Sequence, residues 1–536
     1  MWAAAASIVS RATWADWALL AAGLLLVLYV AGTWNYDHFR RQGVPSSRPK
    51  WPFLGDTGAA FVGGRPFFQM LRDQYEQGAG HGVYGAFEFT SPVLLIREPE
   101  LLKAVAVKEF DSFTNHPTVQ IGDADPIFSK NLFHLKDQDW RDMRATLSPA
   151  FTTSKIKTML SLISECAQQM TEHLRKKYAE SDEGSMNQPL PIDMKDLFSR
   201  MANDVIATAA FGVSCDSLKQ PENEFYRMGK LITTISKLRS FILVGYMLFP
   251  KIVQWFGARL LDPKAAGFFD SLVHEAIGLR RQQGIQRPDL LQLLMQAQEG
   301  KLKAEKEDAA EAEEVRASKT KLLLNEDVSA QAVLFFFAGF DTVSSALCLS
   351  TYVLSHHRNE QKRLYEEVAA VMEKTGGKPT YEAVQGMKYL DAVVSEVLRL
   401  YPPAGRTDRQ CVRAVRLPAT ASSAPLLLPR GQVIHVPIIG LHRDPAFWHA
   451  PDAFDPERFS DANKHDIKPF TYMPFGLGPR ICIGQRFGLI EVKIALVYLL
   501  ANFELLPSAK AKYPAEFEPG FTLMIKGGFW CELKPR

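Results

Sequence analysis

The chain has 536 residues, 47% hydrophobic and 23% charged, a composition that excludes a largely disordered or fibrous protein. Its 62 Lys and Arg against 59 Asp and Glu leave a net charge of +3, which gives no nucleic-acid footprint, so any basic patch must be local. Cysteines at 166, 215, 348, 411, 482 and 531 are scattered without a C-x-x-C pair, against a disulfide framework or zinc site and in favour of a reducing compartment.

No charged side chain occurs between Asp16 and Asp37, and the apolar run from Trp17 to Trp34 has aromatics at both ends. About 20 helical residues span the ~30 Å hydrocarbon thickness, and tryptophans suit both interfaces. A cleaved signal peptide would have a shorter apolar region ending in a small-residue site. Residues 1–36 are therefore expected to form a membrane anchor. Arg40, Arg41, Arg48 and Lys50 follow it against only Arg11 before it, which places the body in the cytosol. Residues 37–55 are basic and carry Pro45, Pro49 and Pro52, which cannot continue a helix; they read as a stiff hinge before a body at 56–536.

Further along, Trp140 and Arg144 stand four apart on one helical face and offer an indole N–H beside a guanidinium fork. The stretch Phe241–Pro250 is apolar but too short to span a bilayer; it fits either core packing or a shallow membrane contact. Residues 300–321 form a charged, Ala-rich insert that reads as a solvated loop. From Val328 to Ser355 the only charge is Asp341. Length alone allows a second membrane span. Frequent Ser and Thr, with an acidic start at Asn325-Glu326-Asp327, favour instead a helix buried through a large soluble domain. Within it, small Ala338 and Gly339 would let a flat ligand and dioxygen approach, while Asp341 and Thr342 form an acid and alcohol suited to proton delivery.

Glu396 and Arg399 share a helix face in an apolar segment that stops at Pro402-Pro403, and Arg458 offers another guanidinium downstream. The most specific feature is Phe475-Gly-Leu-Gly-Pro-Arg480-Ile-Cys482-Ile-Gly484, which can present one thiolate to a haem iron. Gly476, Gly478 and Gly484 would let the backbone turn and lie close to a macrocycle. Arg480, two residues before the sulfur, and a helix from about Gln485 to Leu500 would both favour thiolate over thiol.

In this order, from 140 to 484, the motifs resemble the cytochrome P450 family of haem-thiolate monooxygenases. That resemblance implies a mainly α fold with small β-sheets, with strands at 433–437 and around 521–525, preceded by a single transmembrane helix. It implies haem b ligated by Cys482, with Trp140, Arg144, Arg409 and Arg480 at the propionates and Phe475, Gly478 and Gly484 shaping the ligand loop. Asp341 and Thr342 would assist protonation during dioxygen activation. Glu396, Arg399 and Arg458 would form a buried network on the proximal side. A lipophilic substrate would meet Ile127, Phe128, Phe133, Phe337, Ala338, Ala404, Gly405, Phe521 and Met524.

Electrons would come from NADPH through NADPH-cytochrome P450 reductase, with cytochrome b5 as a further partner and Arg141, Lys155 and Arg486 at the docking face. The setting would be the cytosolic face of the endoplasmic reticulum membrane. The phrase from Trp140 to Thr152 further resembles arthropod microsomal members that handle foreign compounds. Two other readings stand beside this one: a haem-thiolate isomerase or dehydratase needing no reductase, and a two-span membrane binding protein without haem.

Overall fold

The computed structural model describes residues 13–61, 64–117, 121, 125–234, 236–301, 323–520 and 523–536. Most of the charged insert, and Phe521, lie outside the described residues.

Helix α1, Trp14–Thr33, starts at a capping box in which the Thr13 N–H donates to the Asp16 carboxylate (2.8 Å) and the Asp16 N–H to Thr13 Oγ1 (3.4 Å). Its leucines and valines are exposed along its length, as an apolar helix meant for lipid requires. The chain after it is folded onto the body. The Phe53 N–H donates to the Gly32 carbonyl (3.0 Å), and a Cβ on Gly32 would fall 2.8 Å from Phe53 and Pro52. Tyr36 Oη donates to the Trp51 carbonyl (2.7 Å) and accepts from the Gly55 N–H (2.8 Å). Phe39 is buried against Phe87. The proline-bearing segment 37–55 thus lies along the first sheet, bridging it at Ser46 and Gly55.

Nine further helices matter for the site: α2 Asp137–Leu147, α3 Thr153–Ala179, α4 Met194–Ile206, α5 Lys237–Leu248, α6 Pro250–Trp255, α7 Pro263–Gln283, α8 Asn325–His356, α9 Lys388–Leu400 and α10 Gln485–Asn502. Asp327 accepts from the Leu324 N–H (3.0 Å) at the start of α8 and satisfies one of its orphan donors. By length and composition α8 could cross a membrane, but most of its side chains are buried inside the body, with α4, α7, α9 and α10 around it. One core cluster joins α3, α4, α9 and α10 to the second half of α8, from Val343 onward. Another joins α2 and α7 to its first half, through Phe336 and Phe340. The two cores meet on α8 at residues 337–342.

The largest sheet is ordered β1-β2-β7-β4, with β1 Val83–Glu88, β2 Ser91–Ile96, β4 Thr407–Gln410 and β7 Val433–Val436. Only β2 and β7 pair in parallel, Val93 opposite Val433; Arg409 of β4 lies opposite Ile434. Strands β3 Leu190–Asp193, β9 Trp530–Pro535 and β8 Phe503–Pro507 form a second sheet, and β5 Val415–Leu417 with β6 Leu426–Leu428 a ribbon. Of the strand expected near 521–525, residues 521 and 522 lie outside the described residues, and Ile525 forms an isolated bridge with Phe517. Gly527 and Gly528, at φ of 83° and 91°, turn the chain so that pairing resumes only at Trp530. Within Phe241–Pro250 the chain leaves Phe241, Met247 and Phe249 exposed and buries Tyr246, and Ile252, Trp255 and Phe256 are exposed just beyond it.

Candidate active site

Phe337, Ala338 and Thr342 are exposed in the middle of α8, while Phe336, Phe340 and Val343 beside them are buried. Ala338 and Thr342, four apart, share one face of α8, and exposed Phe337 lies beside it. Gly339, three before Thr342, borders that face but is packed against α4. A Cβ there would sit 3.1 Å from Ile206 Cδ1, so its missing side chain serves the packing of α8 on α4, a correction to the expectation that it admits a flat ligand.

Thr342 Oγ1 donates to the Ala338 carbonyl one turn back (2.6 Å). Asp341 Oδ1 is paired with Lys195 Nζ of α4 at 2.7 Å, and the same ammonium donates to Ser344 Oγ (3.0 Å) and Ser345 Oγ (3.2 Å). The acid and the alcohol therefore have different partners. The carboxylate is anchored to a cation that the sequence reading did not single out.

The loop before α10 is held by backbone bonds: the Gly476 N–H donates to the Met473 carbonyl (3.0 Å) and the Cys482 N–H to the Phe475 carbonyl (3.0 Å). Gly476 and Gly478 have φ of 82° and 67°. A Cβ on Gly478 would lie 2.2 Å from the Ala106 carbonyl oxygen. Gly484, at φ −88°, has nothing in the chain within 4 Å of such a Cβ. Gly478→Ala is therefore expected to cost about 1–3 kcal/mol from left-handed strain alone, with the clash adding to it. Gly484→Ala should stay within about 0.5 kcal/mol of the wild-type apoprotein. Denaturant midpoints of the two variants check this contrast.

Of the six cysteines, all free, Cys482 alone has an exposed side chain. Protein nonetheless surrounds it closely enough for burial to push its thiol up; the Gly484 N–H and the charge of Arg144 pull the other way. An accessible yet enclosed sulfur lines a deep recess rather than the outer surface. α10 follows at once, and a Cβ on Gly488 in its first turn would sit 3.9 Å from Val343 Cγ2, so the start of α10 adjoins α8 one residue past Thr342. The charge of Arg144 acts on the sulfur. Arg480 turns away, its Nε donating to the Thr114 carbonyl and Nη2 to the Leu135 carbonyl, both at 2.8 Å. Its guanidinium lies 4.0 Å over the Trp140 ring.

Arg409 is buried, with Nη2 donating to the Leu477 carbonyl (2.9 Å) and Nε without a partner. Burial pulls it down to about 10. Burial, then the charges of Arg409 and Arg144, pull Arg480 down to about 8. The neighbouring carboxylates are engaged elsewhere, Asp408 with His116 Nδ1 (2.7 Å) and Asp137 with Asn115 Nδ2 (2.9 Å). Three guanidiniums crowded around a recess, one with an orphaned buried N–H, fit a group carrying two carboxylates. A thiol and a flat approach over Gly484 fit its metal and ring. The donor set suits haem.

Below the loop, Arg399 of α9 donates from Nε to Glu396 Oε2 (2.7 Å) and from Nη2 to Glu396 Oε1 (2.8 Å), both residues fully buried. Arg458 Nε reaches Glu396 Oε1 at 3.4 Å, and the Asp455 N–H donates to the same oxygen (2.9 Å).

Of the apolar candidates, Ile127 and Phe128 lie on the short helix Pro126–Ser129, which packs on α8. Gln331 of α8 ties down the same segment, accepting from the Leu132 N–H (2.8 Å) and donating to the Lys130 carbonyl (3.0 Å). Phe133 stacks on His116 at 4.6 Å. Gly405 backs onto Leu71 and Phe68, and Phe68 in turn faces Phe517. Met524 accepts from the Glu518 N–H (2.7 Å) in that region, and Ala404 is exposed.

The cytochrome P450 family profile matches residues 45–531. The chain belongs to the cytochrome P450 family. Among similar curated proteins, cytochrome P450 9e2 of Blattella germanica is 46% identical over 531 residues, covering 97% of this chain and 98% of its own. A probable cytochrome P450 9f2 of Drosophila melanogaster is 39% identical over 532 residues, covering 98% and 99%. Cytochrome P450 6k1 of Blattella germanica is 34% identical over 505 residues, covering 94% and 93%. As a member of this family, the P450 is a monooxygenase that uses haem with a cysteine thiolate ligand and dioxygen. Its exposed apolar helix α1 is consistent with a membrane anchor.

Proposed function

We propose that this P450 inserts one oxygen atom of dioxygen into a lipophilic organic molecule, a foreign compound or an endogenous lipid or hormone. Its electrons come singly from NADPH through NADPH-cytochrome P450 reductase, with cytochrome b5 as a further donor. The observation that supports this most is the accessible Cys482 sulfur in an enclosed recess beside the open Phe337–Thr342 face of α8.

Cys482 is the thiolate ligand. Trp140, Arg144, Arg409 and Arg480 hold the two propionates, and Phe475, Gly478 and Gly484 give the loop its shape. Haem ligated by thiolate supplies dioxygen activation, the chemistry that side chains lack. The chain's own residues supply protons and a dry site. Thr342 can rotate its hydroxyl from the Ala338 carbonyl towards the recess, and Asp341, held by Lys195 but partly exposed, can exchange protons with water. Ile127, Phe128, Phe133, Phe337, Ala338 and Met524 present apolar surface that favours a lipophilic substrate. Glu396, Arg399 and Arg458 hold the proximal scaffold.

The domain sits on the cytosolic face of the endoplasmic reticulum membrane, anchored through 1–36 and joined by 37–55 to a catalytic domain at 56–536. The exposed Phe241, Ile252 and Trp255 of α5 and α6 make a second, shallow contact with lipid. Carbon monoxide difference spectra of membranes, reduced either by dithionite or by NADPH with reductase, test the reading. A strongly red-shifted Soret band under both conditions, with NADPH-dependent product, is the expected result. A band under dithionite with product formed from a peroxide alone would instead assign an isomerase or dehydratase.

A further inference from the structure

His442, the last residue of the short helix Ile438–His442 after β7, is fully buried and belongs to none of the roles above. Its two ring nitrogens are both engaged. Nδ1 lies 3.1 Å from the Arg399 carbonyl, which can only accept, so Nδ1 carries the proton. Nε2 then accepts from the Met473 N–H at 2.9 Å. Arg399 returns the contact, donating from Nη1 to the carbonyl of His442 itself (2.7 Å). Side chain and backbone of one histidine are thereby fastened to the cation that Glu396 holds.

The chain leaves Met473 directly into the ligand loop. The Met473 carbonyl accepts from Gly476, and the Phe475 carbonyl accepts from Cys482. Tyr472 lies stacked on the His442 ring, centroids 5.3 Å apart, and donates from Oη to the Ser395 carbonyl of α9 (3.1 Å). Hydrogen bonds therefore run from Glu396 through Arg399, His442 and Met473 to Gly476. We propose that His442 is a positioning residue for Cys482, its neutral Nε2 setting the height at which the loop delivers the sulfur into the recess.

A positive ring would face Arg399 and Arg443, while Glu396 is already bound by Arg399 and Arg458 and Asp452 by Arg443. Burial and those two cations hold the imidazole neutral, with a pKa pulled down to about 3. The acceptor is thus present at every pH at which the protein works.

The proposal rests on the haem-thiolate reading, and the experiment separates the two. Full-length wild type, His442→Gln, His442→Asn and His442→Phe are compared in membranes by three readouts: the reduced carbon monoxide spectrum, haem release to excess apomyoglobin, and the denaturant midpoint. Gln can place an amide oxygen where Nε2 accepts. Asn can place an N–H where Nδ1 donates but leaves Met473 unserved; Phe does neither. Expected are a thiolate spectrum and near-wild-type haem retention for Gln. For Asn and Phe, a shift to the thiol-type spectrum and release at least about tenfold faster are expected, the scale seen when groups orienting a metal ligand are lost.

Equal haem release from Gln and Asn, or a wild-type spectrum in Phe, overturns the positioning role. Should Phe not fold, the comparison of Gln with Asn decides alone. A wild type without any thiolate signature overturns the haem-thiolate reading itself and this proposal with it.

Discussion

Cys482→Ala is expected to abolish the red-shifted Soret band of the reduced, carbon monoxide-treated protein while leaving the polypeptide folded. Two physical facts separate those outcomes. The Cys482 side chain faces the recess rather than packed core, so its loss should change apoprotein stability by no more than about 0.5 kcal/mol. The backbone bond from Cys482 to Phe475 needs no side chain and survives. No other cysteine can take over. Cys166, Cys215, Cys348, Cys411 and Cys531 are all buried, and burial pushes their thiols up, that of Cys531 to about 12. Circular dichroism should match wild type while the thiolate band is absent. A band that persisted would move the ligand to another residue and sink the assignment.

Glu396→Ala should do the opposite and remove the fold along with the haem. Glu396 accepts two hydrogen bonds from Arg399, one from Arg458 and one from the Asp455 N–H, with no solvent access to replace any of them. Its loss leaves the Arg399 guanidinium charged in the interior, a penalty of about 3–5 kcal/mol. Against a total stability of roughly 5–15 kcal/mol, that takes most of the margin of an ordinary domain. Little folded holoprotein should be recovered, read as haem per polypeptide after mild extraction. Glu396→Gln keeps acceptor geometry without the charge and should fall between. Normal yield with full haem in Glu396→Ala would mean that Asp455 and the backbone carbonyls around Arg399 suffice.

The ligand loop, α8, α10 and the Glu396–Arg399 pair were legible in the sequence because each is local. Their residues lie within one helix or one loop, and turn chemistry or helical spacing carries the information. What was not legible depends on residues far apart in the chain. Lys195 stands 146 positions from Asp341, and nothing in either neighbourhood announces the pair. Met473 is 31 positions from His442, and nothing in either local sequence announces the contact. Gly339 looked like an opening for a ligand because the face of a buried helix cannot be assigned before its neighbours are known; Ile206 occupies that space. Arg480 looked like the charge beside the sulfur from its spacing alone, yet its length lets it reach carbonyls of the 114–135 segment. Arg409 stands in a polar strand, β4, and only the packed structure shows it buried.

The run from Thr33 to Asp56 also decides where the molecule can be cut. Pro45 accepts from the Gly85 N–H (2.8 Å), Ser47 donates its N–H to the Gly85 carbonyl (2.9 Å), and Asp56 exchanges bonds with the Phe87 backbone. These contacts cover the outer edge of β1, which otherwise presents a row of open donors and acceptors to any passing strand. A soluble version trimmed at the prolines, the place the sequence suggests, would strip that cover and expose Phe87 with it. Such a protein should self-associate through its sheet edge, whereas one beginning at Trp34 keeps the guard and should remain monodisperse.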